Sequence, residues 1–257
     1  EVIRNSPNLR LIQKIGVGVN TIDRDTARKH NVAVCNMPGT NSRAVAELTI
    51  ALMLAALRRV PYFDREMRMG NGWNTDLANF DGLGEINGRT VGLVGYGAVA
   101  QIVAPILQAM GAFVMYTATA PKPEALGEWR DLASLLAQSD IVSLHLPLNA
   151  ETEKLINARA IASFKPGAVI INTARGGLID ENALFEALQT GQISAAGLDV
   201  VTKEPADENN PLFALDNVVV MPHIAWLTPE TLARSLKIAF ENCRRLRNSE
   251  DLLHRVV

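Results

Sequence analysis

From Arg89 onward, short apolar runs alternate with segments whose apolar residues recur at helical spacing. Continuous runs of valine, isoleucine and leucine are typical of strands covered on both faces of a sheet. Their alternation with amphipathic helices favours right-handed β-α-β crossovers and a parallel sheet. We therefore predict strands at 90–95, 112–116, 140–146, 168–173, 194–200 and 217–221. The helices predicted between them are 98–110, 131–138, 152–163 and 179–190.

The first third of the chain has a different pattern. Residues 1–40 contain only short apolar pieces between turn residues, which predicts a fragment of β-α-β structure with little core of its own. Asn41 or Ser42 can cap the next helix, whose apolar residues recur at helical spacing and form ordinary core from Leu48 to Leu57. This helix should end before Pro61. Residues 62–88 are polar and rich in glycine, which predicts an arm or a long loop.

A glycine-rich turn follows the first strong strand. Thr90–Val94 is apolar, and Gly95-x-Gly97-x-x-Ala100 then opens a helix. Gly95 allows a tight turn, Gly97 lets backbone approach a pyrophosphate, and the small Ala100 permits close packing of helix on strand. Phosphate oxygens would lie at the positive helix N-terminus. The residues predicted to contact the phosphates are Gly95, Gly97, Ala98 and Val99.

The next strand bears on the choice between NAD and NADP. In NAD enzymes this strand ends in an acid that binds the adenosine ribose. Here the run Ala112–Tyr116 ends in Thr117, so a 2′-phosphate is not repelled, and Lys122 can contact it. No arginine stands nearby to bind a phosphate in bidentate fashion. The sequence therefore predicts NAD or NADP, with Thr117 as a cofactor contact and a slight preference for NADP.

Three chemically active side chains follow the ends of separate predicted strands: Arg175, Glu204 and His223. The carboxyl ends of parallel strands open onto one crevice, where ligands bind. An arginine, an acid and a histidine beside a nucleotide-binding turn are the components of a hydride-transfer site. We predict that they meet there.

Bulk properties exclude other classes of partner. The formal net charge of -2 gives no electrostatic reason to expect nucleic acid or an anionic membrane. The longest apolar stretch, Leu48–Leu57, is too short to span a bilayer. Cys35 and Cys243 have no paired spacing, which together with the lack of a signal-peptide pattern predicts a cytoplasmic protein. No metal site is expected, because no histidine or cysteine cluster has ligand spacing.

Four motifs in one order along the chain resemble a known family. They are Gly95-Tyr96-Gly97, Thr173-Ala174-Arg175-Gly176-Gly177, Gly197-Leu198-Asp199-Val200 with Glu204-Pro205, and Pro222-His223-Ile224-Ala225-Trp226. Together they resemble the D-isomer-specific 2-hydroxyacid dehydrogenase family over nearly the whole chain, and the last motif resembles its glycerate dehydrogenase/hydroxypyruvate reductase branch. The resemblance implies reversible reduction of a small 2-keto acid to a D-2-hydroxy acid by NAD(P)H.

The resemblance also implies roles for matched residues. His223 would be the acid/base, Glu204 would orient it and favour its protonated form, and Arg175 would polarise the carbonyl and hold the substrate carboxylate. The cofactor cleft would be lined by His145, Pro147, Thr173 and Ala174, with Asp199 binding the nicotinamide carboxamide. Val17, Gly18 and Trp226 would complete the substrate site. From the residues alone, Asp199 can instead satisfy backbone donors, and Trp226 can be plain packing.

The predicted fold class is α/β. A doubly wound parallel Rossmann sheet forms the dinucleotide-binding domain at 41–226, with a helix and arm at 42–88. Residues 1–40 and 227–257 would be the remainder of a flavodoxin-like substrate domain that is apparently truncated, because the family begins with further β-α units. Family members are usually homodimers through the helix and arm.

Two other functions stay open from the sequence. A non-catalytic nicotinamide-binding protein of the corepressor or scaffold type can retain all three catalytic residues. Oxidation of phosphite is the second, minor alternative. Formate dehydrogenases share the fold but carry an amide in place of the acid partner, so Glu204 argues against them.

Overall fold

The computed structural model describes residues 1–19, 21–73 and 82–257, which form two compact units. The larger unit is Val45–Ala225, and the smaller one combines Glu1–Ala44 with Trp226–Val257. In chain order the strands are β1 (Leu11–Gln13), β2 (Ala33–Cys35), β3 (Thr90–Val94), β4 (Phe113–Thr117), β5 (Glu128–Trp129), β6 (Ile141–Leu144), β7 (Ala168–Asn172), β8 (Ile193–Leu198) and β9 (Val218–Val220). The helices are α1 (Arg24–Lys29), α2 (Ser42–Leu57), α3 (Val60–Arg68), α4 (Ala98–Ala109), α5 (Leu132–Gln138), α6 (Ala158–Ala162), α7 (Glu181–Thr190) and α8 (Pro229–Arg247).

The larger unit is built on a parallel sheet. Within its described residues, seven strands lie in the order β5-β4-β3-β6-β7-β8-β9, and every neighbouring pair is parallel. The strand order reverses between β3 and β6, which is the switch point where ligands bind in doubly wound sheets. The α/β class and the Rossmann sheet are therefore confirmed. Strand β5 was not predicted, because two exposed residues at a sheet edge leave no apolar run.

Alternate residues of the central strands face two separate cores. In β7, Val169 and Ile171 pack in the cluster with residues of α2 and α4, whereas Ile170 packs in the cluster with residues of α6 and α7. All three side chains are buried, since helices cover the sheet on both faces. This explains why the strands read as continuous apolar runs.

The smaller unit has two parallel strands, β1 and β2, with Leu11 opposite Ala33. Its core is small: the buried members are Ile3, Ala27, Val32 and Val34. Asn242 of α8 is also buried, donates to the side chain of Gln13 in β1 at 2.6 Å and so ties helix to strand.

Two segments differ from prediction. Residues 62–88 are not all arm or loop: α2 ends at Leu57, Arg59 adopts a left-handed backbone with φ 48°, and α3 then begins with Pro61 in its first turn. Proline is well tolerated there because that N–H has no helical partner. No residue of α3 is buried, which is why no core pattern revealed it. The rest of the predicted arm includes residues 74–81, which lie outside the described ranges.

The helix predicted at 152–163 is shorter than expected. It is confined to Ala158–Ala162, with the Asn157 side chain as its N-cap. Before it, the N–H of Lys154 bonds to the carbonyl of Gly177 at 2.8 Å, and that of Ile156 bonds to Leu178 at 3.0 Å. These bonds to a distant segment replace the helical ones. None of the helices in the described part of the chain is long and apolar enough to cross a membrane.

Candidate active site

The glycine turn between β3 and α4 leaves space over a helix N-terminus. Gly95 has φ +96°, and a Cβ there would lie 2.7 Å from the carbonyl oxygen of His145. At Gly97 an added Cβ would meet nothing within 4 Å. Gly97 is the N-cap of α4 and supplies no side-chain hydrogen bond to the helix. The exposed backbone at Gly97 and Ala98 and the half-buried Val99 therefore fit a pyrophosphate group, which backbone amides and the helix dipole would hold.

His145 and Pro147 follow β6 on the other side of this turn. The Nε2 atom of His145 lies 3.0 Å from the hydroxyl of Ser143. Burial lowers the pKa of His145 to about 4, so the imidazole is neutral near pH 7. A neutral, half-buried ring suits the wall of a cleft better than proton transfer at that pH. Pro147 is exposed.

Asn172 holds the turn that carries Arg175. It is the last residue of β7 and is fully buried. Its amide nitrogen donates to the carbonyl of Arg175 at 2.9 Å, and its amide oxygen accepts from the N–H of Ala174 at 3.0 Å. Arg175 donates from Nη1 to the carbonyl of Ala174 at 2.6 Å. Asn172 was not predicted from the sequence, although a polar residue that closes an Ile-Ile strand is a visible signal.

The loop after Arg175 packs against the segment that leads to Glu204. A Cβ at Gly176 would lie 2.0 Å from the backbone carbon of Val201, so only glycine permits this approach. The N–H of Val201 in turn donates to the Glu204 carboxylate at 3.3 Å. Backbone contacts therefore bring the Arg175 turn and the Glu204 loop together.

His223 and Glu204 form a close pair. The Nδ1 atom of His223 lies 2.6 Å from Oε2 of Glu204, and their side chains are 39% and 37% exposed. A carboxylate only accepts hydrogen bonds, so Nδ1 is the protonated nitrogen and Nε2 is the one that exchanges a proton with a ligand. The Glu204-Pro205 peptide bond is cis.

Asp199 fixes the turn that presents His223. Its two carboxylate oxygens accept from the N–H groups of Ile224 at 2.9 Å and Ala225 at 3.0 Å, and its own carbonyl accepts from the N–H of His223 at 2.8 Å. His223 has a left-handed backbone with φ 57°. Burial raises the pKa of Asp199, while these two amides oppose the shift. The backbone role considered for Asp199 is thus present, and its contact with a cofactor stays a prediction.

Strand register explains why these groups share one edge. Asn172 of β7 pairs with Leu198 of β8, and Leu198 pairs with Val220 of β9. Thr173, Asp199 and Met221 therefore follow at the same level, at the carboxyl ends of adjacent parallel strands. Arg175 and His223 lie two residues further along their loops.

A cavity of about 630 Å³ borders the pair. Its polar lining comes from Asp199, Glu204 and His223, and the remaining lining residues are Val201, Pro205, Ala206, Phe213, Val220, Met221 and Pro222. Arg175 is not among them. The cavity gives the imidazole a largely apolar border, in which charged contacts are stronger than in water.

The three remaining predicted substrate residues belong to the smaller unit. Val17 is 49% exposed, and its carbonyl accepts from the side chain of Asn36 at 3.0 Å. Gly18 follows it, and Trp226 is the first residue of the unit's second segment. Their substrate roles stay predictions.

A doubly wound sheet with an open phosphate-binding turn at its switch point defines a dinucleotide-binding α/β protein. Residues 50–225 match the model of the D-isomer specific 2-hydroxyacid dehydrogenase, NAD binding domain. This match covers more than half of the chain, so the chain belongs to that family.

Individual relatives agree with this assignment. A glyoxylate reductase of Aeropyrum pernix is 41% identical over 249 residues, which cover 94% of this chain and 74% of that enzyme. A D-3-phosphoglycerate dehydrogenase of Mycobacterium tuberculosis is 41% identical over 239 residues, which cover 91% of this chain but only 44% of that enzyme. The crystal structure of the TT0316 protein from Thermus thermophilus has a TM-score of 0.92 and 39% identity, and covers 100% of this chain and 81% of that one. This chain therefore spans less than half the length of the phosphoglycerate dehydrogenase that it matches.

Proposed function

We propose that this protein is an NAD(P)-dependent oxidoreductase that interconverts a small 2-keto acid and a D-2-hydroxy acid. The observation that carries the proposal is the 2.6 Å contact between Glu204 and His223. It lies at the same sheet edge as the glycine turn, and the family and the glyoxylate reductase relative support the substrate class.

His223 is the proposed acid/base. With Nδ1 held by the Glu204 carboxylate, Nε2 donates a proton to the carbonyl oxygen of the keto acid as that oxygen becomes an alkoxide, and it takes the proton back in the reverse direction. Glu204 keeps the ring in one orientation and offsets the charge of the imidazolium.

Arg175 is the proposed electrophilic partner. Its guanidinium carries a permanent positive charge, which stabilises charge developing on the carbonyl oxygen and holds the substrate carboxylate. Asn172 fixes the backbone of this turn. Val17 and Gly18, through backbone N–H groups, and Trp226 are proposed as further substrate contacts.

The nicotinamide cofactor would be held by the glycine turn, the β4 end and the cleft-lining residues predicted from the sequence. Bound in its reduced form, it supplies the hydride. We propose a slight preference for NADP, because Thr117 ends β4 where an acid would repel a 2′-phosphate. Lys122 supports this preference, since its ammonium donates to the carbonyl of Tyr96 at 3.0 Å and so lies beside the glycine turn.

We also propose that the protein acts as a homodimer. Helix α3 buries none of its residues, and Val60 and Met67 are 52% and 48% exposed. An apolar helix face of this kind is suited to a second copy of the chain. A cytoplasmic location stays a prediction from Cys35 and Cys243, which are both free thiols.

The proposed activity is tested by following NADH and NADPH oxidation by the full chain on glyoxylate, hydroxypyruvate, pyruvate and phenylpyruvate. We expect reduction of at least one keto acid, with the D-hydroxy acid as product. A reaction without keto acid is the control. Tight cofactor binding with no turnover on any of the four would contradict the proposal and favour a nicotinamide-binding protein without catalysis.

A further inference from the structure

Thr49 carries a hydroxyl on the face of α2 that packs in the apolar core. The residue is fully buried, and Ala46, Leu52 and Met53 of the same helix belong to the apolar core cluster on this face of the sheet. Its Oγ1 lies 2.8 Å from the carbonyl oxygen of Val45 and 2.8 Å from Oγ1 of Thr173. Thr173 is 8% exposed and belongs to the turn between β7 and Arg175.

The donor and acceptor roles in this chain of contacts follow from chemistry. A carbonyl oxygen can only accept, so the single hydroxyl proton of Thr49 goes to Val45. Thr49 must then accept from Thr173, whose own proton is used in that bond. The remaining hydrogen-bonding capacity of the Thr173 hydroxyl is therefore that of an acceptor.

Thr173 stands where an acceptor is useful to a bound dinucleotide. It follows β7 directly opposite Asp199. The adenosine half of the cofactor would lie over β4, and Thr173 is on the other side of the switch point. The nicotinamide half on this side carries a carboxamide NH₂, which needs acceptors. Both oxygens of Asp199 already accept from backbone N–H groups.

We propose that Thr49 is a positioning residue that sets the Thr173 hydroxyl as an acceptor for the nicotinamide carboxamide. The inference rests on the proposed function, because it requires the nicotinamide half to bind at this edge. Thr49 itself touches no ligand. It acts by accepting the hydroxyl proton of Thr173 in a hydrogen bond. That proton then does not point at the carboxamide N–H groups, and the Thr173 oxygen is left to accept from them.

The test compares Thr49→Val, which keeps the shape but loses the hydroxyl, with Thr49→Ser, which keeps the hydroxyl. Dissociation constants are measured for three ligands: NADH, ADP-ribose, which lacks the nicotinamide ring, and the reduced 3-acetylpyridine analogue, in which a methyl group replaces the amide NH₂. A hydrogen bond of ordinary net strength corresponds to about a two- to tenfold change in Kd.

We expect Thr49→Val to weaken NADH binding about three- to tenfold and to leave ADP-ribose and the acetylpyridine analogue within twofold of the unaltered chain. Thr49→Ser should restore NADH binding. In a Thr173→Val background, which lacks the acceptor, Thr49→Val should have no further effect on NADH.

An equal loss for all three ligands would overturn the inference, since it would show that Thr49 only supports the packing of α2. Unchanged NADH binding in Thr49→Val would overturn it as well. Neither result bears on the proposed function, which is tested separately by turnover of the unaltered chain. Failure of the unaltered chain to bind NADH or ADP-ribose would instead overturn the proposed function, and this inference with it.

Discussion

His145 and Thr117 flank the glycine turn and show how single residues set its chemistry. His145 donates its backbone N–H to the carbonyl of Val94 at 2.8 Å, and Thr117 accepts from the N–H of Gly95 at 3.0 Å. The first holds a neutral ring beside the turn. The second puts an uncharged side chain where an acid would select NAD.

Stability should depend on pH through His145. The folded-state pKa of about 4 lies below the ordinary value of 6.5, so between these values the unfolded chain binds a proton that the folded one does not. The free energy of unfolding should therefore fall as pH drops from 6.5 toward 4, with a contribution on the order of 3 kcal/mol from this residue.

Chemical denaturation of the unaltered chain and of His145→Gln at several pH values measures this contribution. The substitution should flatten the plot of unfolding free energy against pH between pH 6.5 and 4, and it should leave the slope of that plot above pH 7 unchanged. Parallel curves for the two proteins across the window would show that His145 is not held neutral by burial.

Cofactor preference should depend on Thr117. Thr117→Asp places a negative charge at the end of β4, which repels a 2′-phosphate and accepts from ribose hydroxyls. We expect the ratio of kcat/KM for NADH over NADPH to rise about tenfold or more, since charges a few ångströms apart interact by several kcal/mol near a protein surface. Thr117→Asn, of equal size without charge, is the control. A ratio unchanged by the aspartate would show that this strand end does not contact the ribose.

At the scale of elements, β3, the turn and α4 form one unit whose two glycines have different tasks. Gly95 is required by the backbone, because it has φ +96° and a Cβ would approach His145. Gly97 has open space around it, so the fold does not require it. Glycine suits the N-cap of α4, and it also leaves this backbone open to a ligand.

The two alanine variants should therefore separate stability from binding. Gly95→Ala should cost about 2 kcal/mol or more of unfolding free energy, since it combines a left-handed backbone with a close contact. Gly97→Ala, at an N-cap where alanine is less favoured than glycine, should cost about 1 kcal/mol or less, yet weaken NADH binding at least tenfold. Thermal denaturation and fluorescence titration measure the two effects. Normal NADH affinity in Gly97→Ala would mean that no phosphate approaches this turn.

Strands and helices with a long apolar pattern of their own could be predicted from the sequence. Segments whose structure depends on contacts with residues far along the chain could not. The strands of the Rossmann core and α4 follow from apolar runs and a glycine turn. Strand β5 and the 152–157 segment depend on pairing with remote backbone, which leaves no local periodicity. Among site residues, the His223 and Glu204 pairing was inferable from strand ends. The hydroxyl contact of Thr49 with Thr173 joins residues 124 positions apart and was not.

At the scale of the whole molecule, the larger unit carries the glycine turn and the Glu204–His223 pair, and the exposed face of α3 is the surface proposed for the second copy. Val60→Asp places a charge on this face at the first residue of the helix, where a negative charge does not disfavour helix formation. We expect it to shift the protein from dimer to monomer in sedimentation velocity. The control is Phe113→Asp, at a side chain that is 68% exposed at the start of β4. A monomeric unaltered chain, or a dimer that survives Val60→Asp, would contradict this interface.

The central claim is that His223, held by Glu204, transfers the proton in a nicotinamide-dependent reduction. The most direct measurement is turnover of the best keto acid by His223→Asn, together with the Kd for NADH. Asparagine tolerates the left-handed backbone at this position but cannot act as the acid. We predict that kcat falls ~10²–10⁴-fold while the Kd for NADH stays within twofold. Turnover close to that of the unaltered protein would contradict the account.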